Sequence, residues 1–143
     1  MIGIVVATHG HLATGFESAV SLLAGKPENY ASVELLPGDE PSAFKERLES
    51  SIAAVNGGDG VLVLVDLFGG TPSNTVCQLL AQEDIRAIAG TNLPMIITAV
   101  FSRLSTSNLD ELVEEVLHAG SDALINVREK LAALQQEDEE DDF

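Results

Sequence analysis

The chain has 143 residues, 45% of them hydrophobic, which suits one compact domain with a real core. Its formal charge of −16, from 23 acidic and 7 basic residues, repels nucleic acid and anionic membranes and favours a partner with a positive patch. A single cysteine, Cys77, excludes an internal disulfide, and apolar runs such as Val61–Val65 fall far short of the ~20 residues that span a bilayer.

Short buried-strand signals alternate with helical ones along the chain. Met1-Ile2-Gly3-Ile4-Val5-Val6 has no basic stretch ahead of its apolar residues. It therefore reads as a buried strand over Ile2–Ala7, not a signal peptide, and a cytoplasmic location is expected. Leu12, Phe16, Val20 and Leu23 line one helix face, and Gly25 and Pro27 close that helix. Val33–Leu36 is the second strand. Pro41 opens a helix with Phe44, Leu48, Ile52 and Val55 on one side, and Asn56-Gly57-Gly58-Asp59-Gly60 is a turn. Val61–Val65 is apolar at every position, as a parallel strand covered on both faces should be. A short helix follows from Pro72, then a fourth strand over Ile85–Ala89 and an apolar helix over Pro94–Arg103. Leu109, Leu112, Val113, Val116 and Leu117 mark an amphipathic helix ending at Gly120. Ala123–Leu134 reads either as a helix or as an edge strand followed by one. Residues 135–143 are expected to be a disordered acidic tail. Removing the six acids Glu137–Asp142 from the 23 leaves 17 against 7 basic residues, so the body is acidic too.

Strands alternating with helices imply an α/β fold: a single, doubly wound domain with a parallel sheet and helices on both faces. Four strands in the flavodoxin-like order 2-1-3-4 are the natural arrangement. Ligands of such sheets bind beyond the carboxyl ends of the strands, where the order reverses. Here that rim is formed by Thr8-His9-Gly10-His11 and Asp66-Leu67-Phe68-Gly69-Gly70-Thr71-Pro72. If strands one and three are neighbours, His9 and Asp66 stand on tips ~5 Å apart. A carboxylate there accepts the Nδ1 proton and leaves Nε2 as a nucleophilic lone pair. Two glycines permit close backbone approach, Thr71 is a good N-cap, and Pro72 fits the first helical position. The free N–H groups of that helix start would face an anion.

Each signal also has a plainer reading: a capping histidine, a turn-forming aspartate, a loop-to-helix joint. A metal site of His9, His11 and Asp66 is allowed by ligand type, although His11 is expected to point away as the helix begins. His118, near a helix end, is accounted for by a favourable dipole contact. There is neither a Walker loop nor a GxGxxG fingerprint, so no bound nucleotide is expected.

Three segments, in order and at matching spacing, carry a family resemblance. They are Ile4-Val5-Val6-Ala7-Thr8-His9-Gly10, Val63-Leu64-Val65-Asp66-Leu67-Phe68-Gly69-Gly70-Thr71-Pro72 and Ala89-Gly90-Thr91-Asn92-Leu93-Pro94-Met95. Over Met1–Leu134 the chain resembles the enzyme IIA component of the mannose (mannose/fructose/sorbose) class of the bacterial phosphoenolpyruvate-dependent sugar phosphotransferase system. The resemblance implies that His9 is phosphorylated on Nε2 and that Asp66 holds the other ring nitrogen. It places Thr71 against the phosphoryl group, with Gly70 and Ser73 offering backbone donors. Asn92 and Pro94 match a structural loop on the far side, and Phe68 would help dock partners. The implied donor is the carrier HPr and the acceptor a IIB protein, which serves the membrane components IIC and IID. No metal or other cofactor is implied. The family resemblance also implies a homodimer that exchanges an antiparallel edge strand, here Ala123–Arg128, and a stand-alone IIA domain over residues 1–134. Two alternatives remain at this stage. One is the phosphoryl-transfer domain of a dihydroxyacetone-kinase system. The other is a regulatory or anion-binding module that moves no sugar.

Overall fold

A computed structural model describes residues 1–141. Ten elements follow one another: β1 (Gly3–His9), α1 (Leu12–Ala24), β2 (Tyr30–Leu35), α2 (Pro41–Val55), β3 (Val61–Val65), α3 (Thr71–Cys77), β4 (Ile85–Ile88), α4 (Leu93–Ser102), α5 (Leu109–Asp122) and α6 (Val127–Asp141). The four strands form one parallel sheet in the order β2-β1-β3-β4, as the alternation of elements predicts.

Side chains of a strand alternate between faces, so β1 and β3 each feed two cores. Ile4, Val6, Leu62 and Leu64 pack with Ala13, Val20, Ile96, Leu112 and Val116, under α1, α4 and α5. Val5, Ala7, Val61, Val63 and Val65 pack with Phe44, Leu48, Ile52 and Val76, under α2 and α3. Every residue of β3 is buried, which explains its unbroken apolar run. At the foot of the sheet Arg103 is only 5% exposed. Its guanidinium donates to the carbonyls of Ile2 at 3.1 Å, Asn29 at 3.2 Å and Glu28. These bonds tie the end of α4 to the starts of β1 and β2, a role that its position at a helix end gave no reason to expect.

Several boundaries differ from those read in the sequence. β1 runs on to His9, and β2 begins at Tyr30, three residues before the apolar run. Among the described residues there is no fifth strand. Ala123 caps α5 and Val127 opens α6, so the edge strand expected over Ala123–Arg128 is absent from the single chain. A strand exists only when paired, and exchange would supply that pair from a second chain. The tail expected to be disordered instead continues α6 as far as Asp141, with no buried residue in that helix. Asp142 and Phe143 lie outside the described residues.

Candidate active site

Parallel pairing of β1 with β3 matches Ala7 to Val65 and delivers His9 and Asp66 to the same rim. Asp66 Oδ2 accepts the backbone N–H of His9 at 3.0 Å and lies 2.9 Å from its ring Nδ1. The other oxygen, Oδ1, accepts the N–H of Leu67 at 3.0 Å. Burial pushes the Asp66 carboxyl up. The His9 backbone and ring, together with the Leu67 N–H, outweigh burial and hold it below its ordinary value. Asp66 is thus an anion at neutral pH, and an anion can only accept. The proton between the two groups belongs on Nδ1, which in the neutral ring puts the lone pair on Nε2. The His9 side chain is 42% exposed against 11% for Asp66, so the imidazole reaches solvent while its anchor is largely covered.

Gly70 backs the imidazole. A Cβ built there would stand 2.5 Å from His9 Cε1 and 2.8 Å from Nε2, so any side chain at this position collides with the ring. Gly70 is also the N-cap of α3, with extended backbone at φ −88° and ψ 175°. Thr71, expected at the N-cap, is instead the first helical residue. The cap position must lie against the ring, where no side chain fits. Thr71 O accepts the Thr75 hydroxyl at 2.7 Å, and Ser73 is buried in the same turn. With Pro72 lacking an N–H, the N–H groups of Thr71 and Ser73 are the first-turn donors without intrahelical acceptors. Phe68, in the loop just before, is 82% exposed.

The surroundings are built from residues that sequence reading passed over or placed only loosely. Thr8 is fully buried, and its Oγ1 accepts the Ala13 N–H at 2.8 Å, joining the end of β1 to the first turn of α1. Gly10, at φ +57°, makes the turn between them. Val65 O accepts both the Thr91 N–H at 3.2 Å and its hydroxyl at 2.7 Å, so the loop after β4 is stitched to β3. Asn92 caps α4 through the Met95 N–H at 3.1 Å and donates to Gly120 O at 3.1 Å. Its contacts are structural, and Pro94 follows it in the first turn of α4. His11 does point away from Asp66, and its ring sits against Glu34 on β2. A buried threonine next to His9 and a carboxylate on the neighbouring strand leave no periodic signal in one sequence, so only the fold brings them out.

The family model described as PTS system fructose IIA component, EIIA-man, matches residues 3–117. The mannose-specific EIIAB component of Escherichia coli (strain K12) is 30% identical over 130 residues, covering 90% of this chain and 40% of the longer relative. The sorbose-specific EIIA component of Lacticaseibacillus casei is 25% identical, covering 95% of this chain and 98% of that protein. Among solved structures, the phosphotransferase system component EIIA from Streptococcus agalactiae superimposes with a TM-score of 0.83 at 29% identity, covering 90% of this chain and 98% of that one. The mannose/sorbose-specific IIA subunit from Enterococcus faecalis gives a TM-score of 0.78 at 27% identity, with 87% and 93% covered. A family match over most of the sequence and close superposition on solved IIA structures agree: the chain belongs to the EIIA-man family of phosphotransferase-system IIA components.

Proposed function

We propose that this chain is a phosphoryl carrier, with His9 taking a phosphoryl group from phospho-HPr and passing it to a IIB protein during sugar uptake. The observation that carries the reading is the 2.9 Å pairing of His9 Nδ1 with Asp66 Oδ2, which leaves Nε2 nucleophilic at the surface. In the first transfer the Nε2 lone pair attacks phosphorus in line. The P–N bond to the carrier's histidine breaks, and the electron pair leaves with that imidazole, which regains a proton from solvent. Asp66 keeps the Nδ1 proton and offsets the positive charge that grows on the His9 ring. Charge on the three equatorial oxygens meets the N–H groups at the start of α3, from Thr71 and Ser73, with Gly70 leaving room beside Nε2. Transfer to IIB reverses the sequence, with His9 as leaving group. No metal enters this scheme, because a phosphohistidine is already activated.

Phe68 supplies an apolar contact for each partner in turn, and one modest interface serves both. The chain works in the cytoplasm, and its link to the membrane components IIC and IID is indirect. It acts as a homodimer in which Ala123–Arg128 pairs with the β4 edge of a second copy. Support for that pairing comes from Leu124, Ile125 and Val127, three large apolar side chains left exposed in sequence order. Among the described residues, no helix is long and apolar enough to cross a membrane.

The test is a chase. Protein labelled from phosphoenolpyruvate through enzyme I and HPr is mixed with a IIB protein of the mannose class. The label should move to IIB and leave His9 free. Label that stays on this chain, with IIB shown competent by another donor, would refute the acceptor assignment. Sedimentation of the unlabelled protein should give a dimer, and a monomer at micromolar concentration would refute the exchanged strand.

A further inference from the structure

A second imidazole on the rim repeats the His9 arrangement. His11 Nδ1 lies 2.5 Å from Glu34 Oε2, and Glu34 Oε1 accepts the Thr14 hydroxyl at 2.5 Å. Arg47 donates to the Glu34 carbonyl at 3.0 Å and to Asp39 Oδ2 at 2.9 Å, which steadies the end of β2 beneath the pair. The Thr14 hydroxyl holds the Glu34 carboxyl below its ordinary value; slight desolvation opposes it and the His11 ring assists it. Glu34 is therefore an anion at neutral pH that accepts the Nδ1 proton, and in the neutral imidazole the lone pair then sits on Nε2. The His11 side chain is 81% exposed.

His11 is the N-cap residue of the 13-residue α1, whose first turn holds no acidic side chain, whereas the start of α5 holds Asp110 and Glu111. The negative charge at this helix start comes instead from Glu34 on β2, which reaches both the His11 ring and the Thr14 hydroxyl.

We propose that His11 is a second phosphoryl-accepting imidazole, its Nε2 taking a phosphoryl group from a phosphorus–nitrogen donor. In the step, the Nε2 lone pair forms the new P–N bond as the old one breaks. The electron pair leaves with the donor nitrogen, which departs as ammonia when the donor is phosphoramidate protonated on nitrogen. The Nδ1 proton stays shared with Glu34, whose charge balances the phosphorylated ring. This goes beyond the carrier reading and needs neither HPr nor IIB.

The experiment treats the full chain with phosphoramidate at neutral pH and follows each histidine by tandem mass spectrometry under non-acidic conditions. His118 is the internal reference: it is exposed on α5. His11 should gain its phosphoryl group at least about tenfold faster than His118 in the wild-type protein. Glu34→Gln should bring the two rates within about twofold of each other. Equal rates in wild type would overturn the proposal, as would a Glu34→Gln rate that stays high. Labelling at His9 is read in the same samples, so failure at His11 alone leaves the carrier reading standing.

Discussion

Asp66 touches His9 through both its ring and its backbone, and the two contacts do different work. The ring contact fixes the tautomer; the backbone contact fixes the position of the strand tip. Asp66→Asn keeps the size and much of the hydrogen bonding but removes the charge that favours Nδ1–H. Phosphoryl uptake should fall by on the order of 10²-fold with little change in circular dichroism, as a rapid-quench assay would show. The pH dependence has a definite sign. The Asp66 carboxyl is lowered in the folded chain, so its contribution is present above its unfolded value and is lost as pH falls through the folded one. The difference in Tm between wild type and Asp66→Asn should be flat at neutral pH and shrink below about pH 4. Gly70→Ala tests sterics alone, because the Gly70 backbone suits any residue while the added methyl strikes Cε1 and Nε2. Uptake should drop at least about tenfold with a Tm change of only a few degrees. The pairing of His9 with Asp66 was legible in the sequence because His9 ends β1 and Asp66 directly follows β3, strands that the pattern makes neighbours. The contact of Gly70 with the ring was not, since a missing side chain announces room without saying for what.

Elements were legible where burial is two-sided and blurred where it is not. β3 is covered on both faces, and its bounds in the structure are those of its apolar run. β2 is an edge strand in which Val33 alone is fully buried, so Tyr30, Ala31 and Ser32 carry no strand pattern, and the sequence reading starts too late. Similar reasoning explains the segment after α5. Leu124 and Ile125 stand exposed in the link between α5 and α6, and Val127 opens α6, so the apolar run carries no buried strand face. α4 shows what an element owes to one cap. Asn92 accepts from Met95 N–H and donates to Gly120 O, so it fastens α4 to α5. Asn92→Ala should cost about 1–3 kcal/mol. A thermal melt should show Tm lower by about 3–8 °C. Phosphoryl uptake at a temperature where the variant is folded should stay near wild type, since Asn92 does not touch His9.

For the whole molecule, two separate cores clamp one sheet, and the rim that holds His9 and Asp66 stands at the end where all four strands point. A charge of −16 on so small a chain should speed encounter with positively charged partners. Raising ionic strength from about 0.05 to 0.5 M should slow uptake from HPr at least about threefold, a change that stopped-flow mixing would resolve. Removing Glu137–Phe143 takes no buried side chain from the described part of α6. Transfer should then stay within about twofold and Tm within about 1 °C. Above all, the proposed carrier role rests on His9 as the residue that takes the phosphoryl group. Its most direct test is the initial rate at which intact protein gains the mass of one phosphoryl group from phosphoenolpyruvate, enzyme I and HPr, with wild type, His9→Ala and His118→Ala side by side. Wild type and His118→Ala should gain one acid-labile group at the same rate, and His9→Ala should be slower by at least about a hundredfold. A His9→Ala protein labelled at the wild-type rate, or a wild type that gains nothing while the carriers phosphorylate a control, would contradict it.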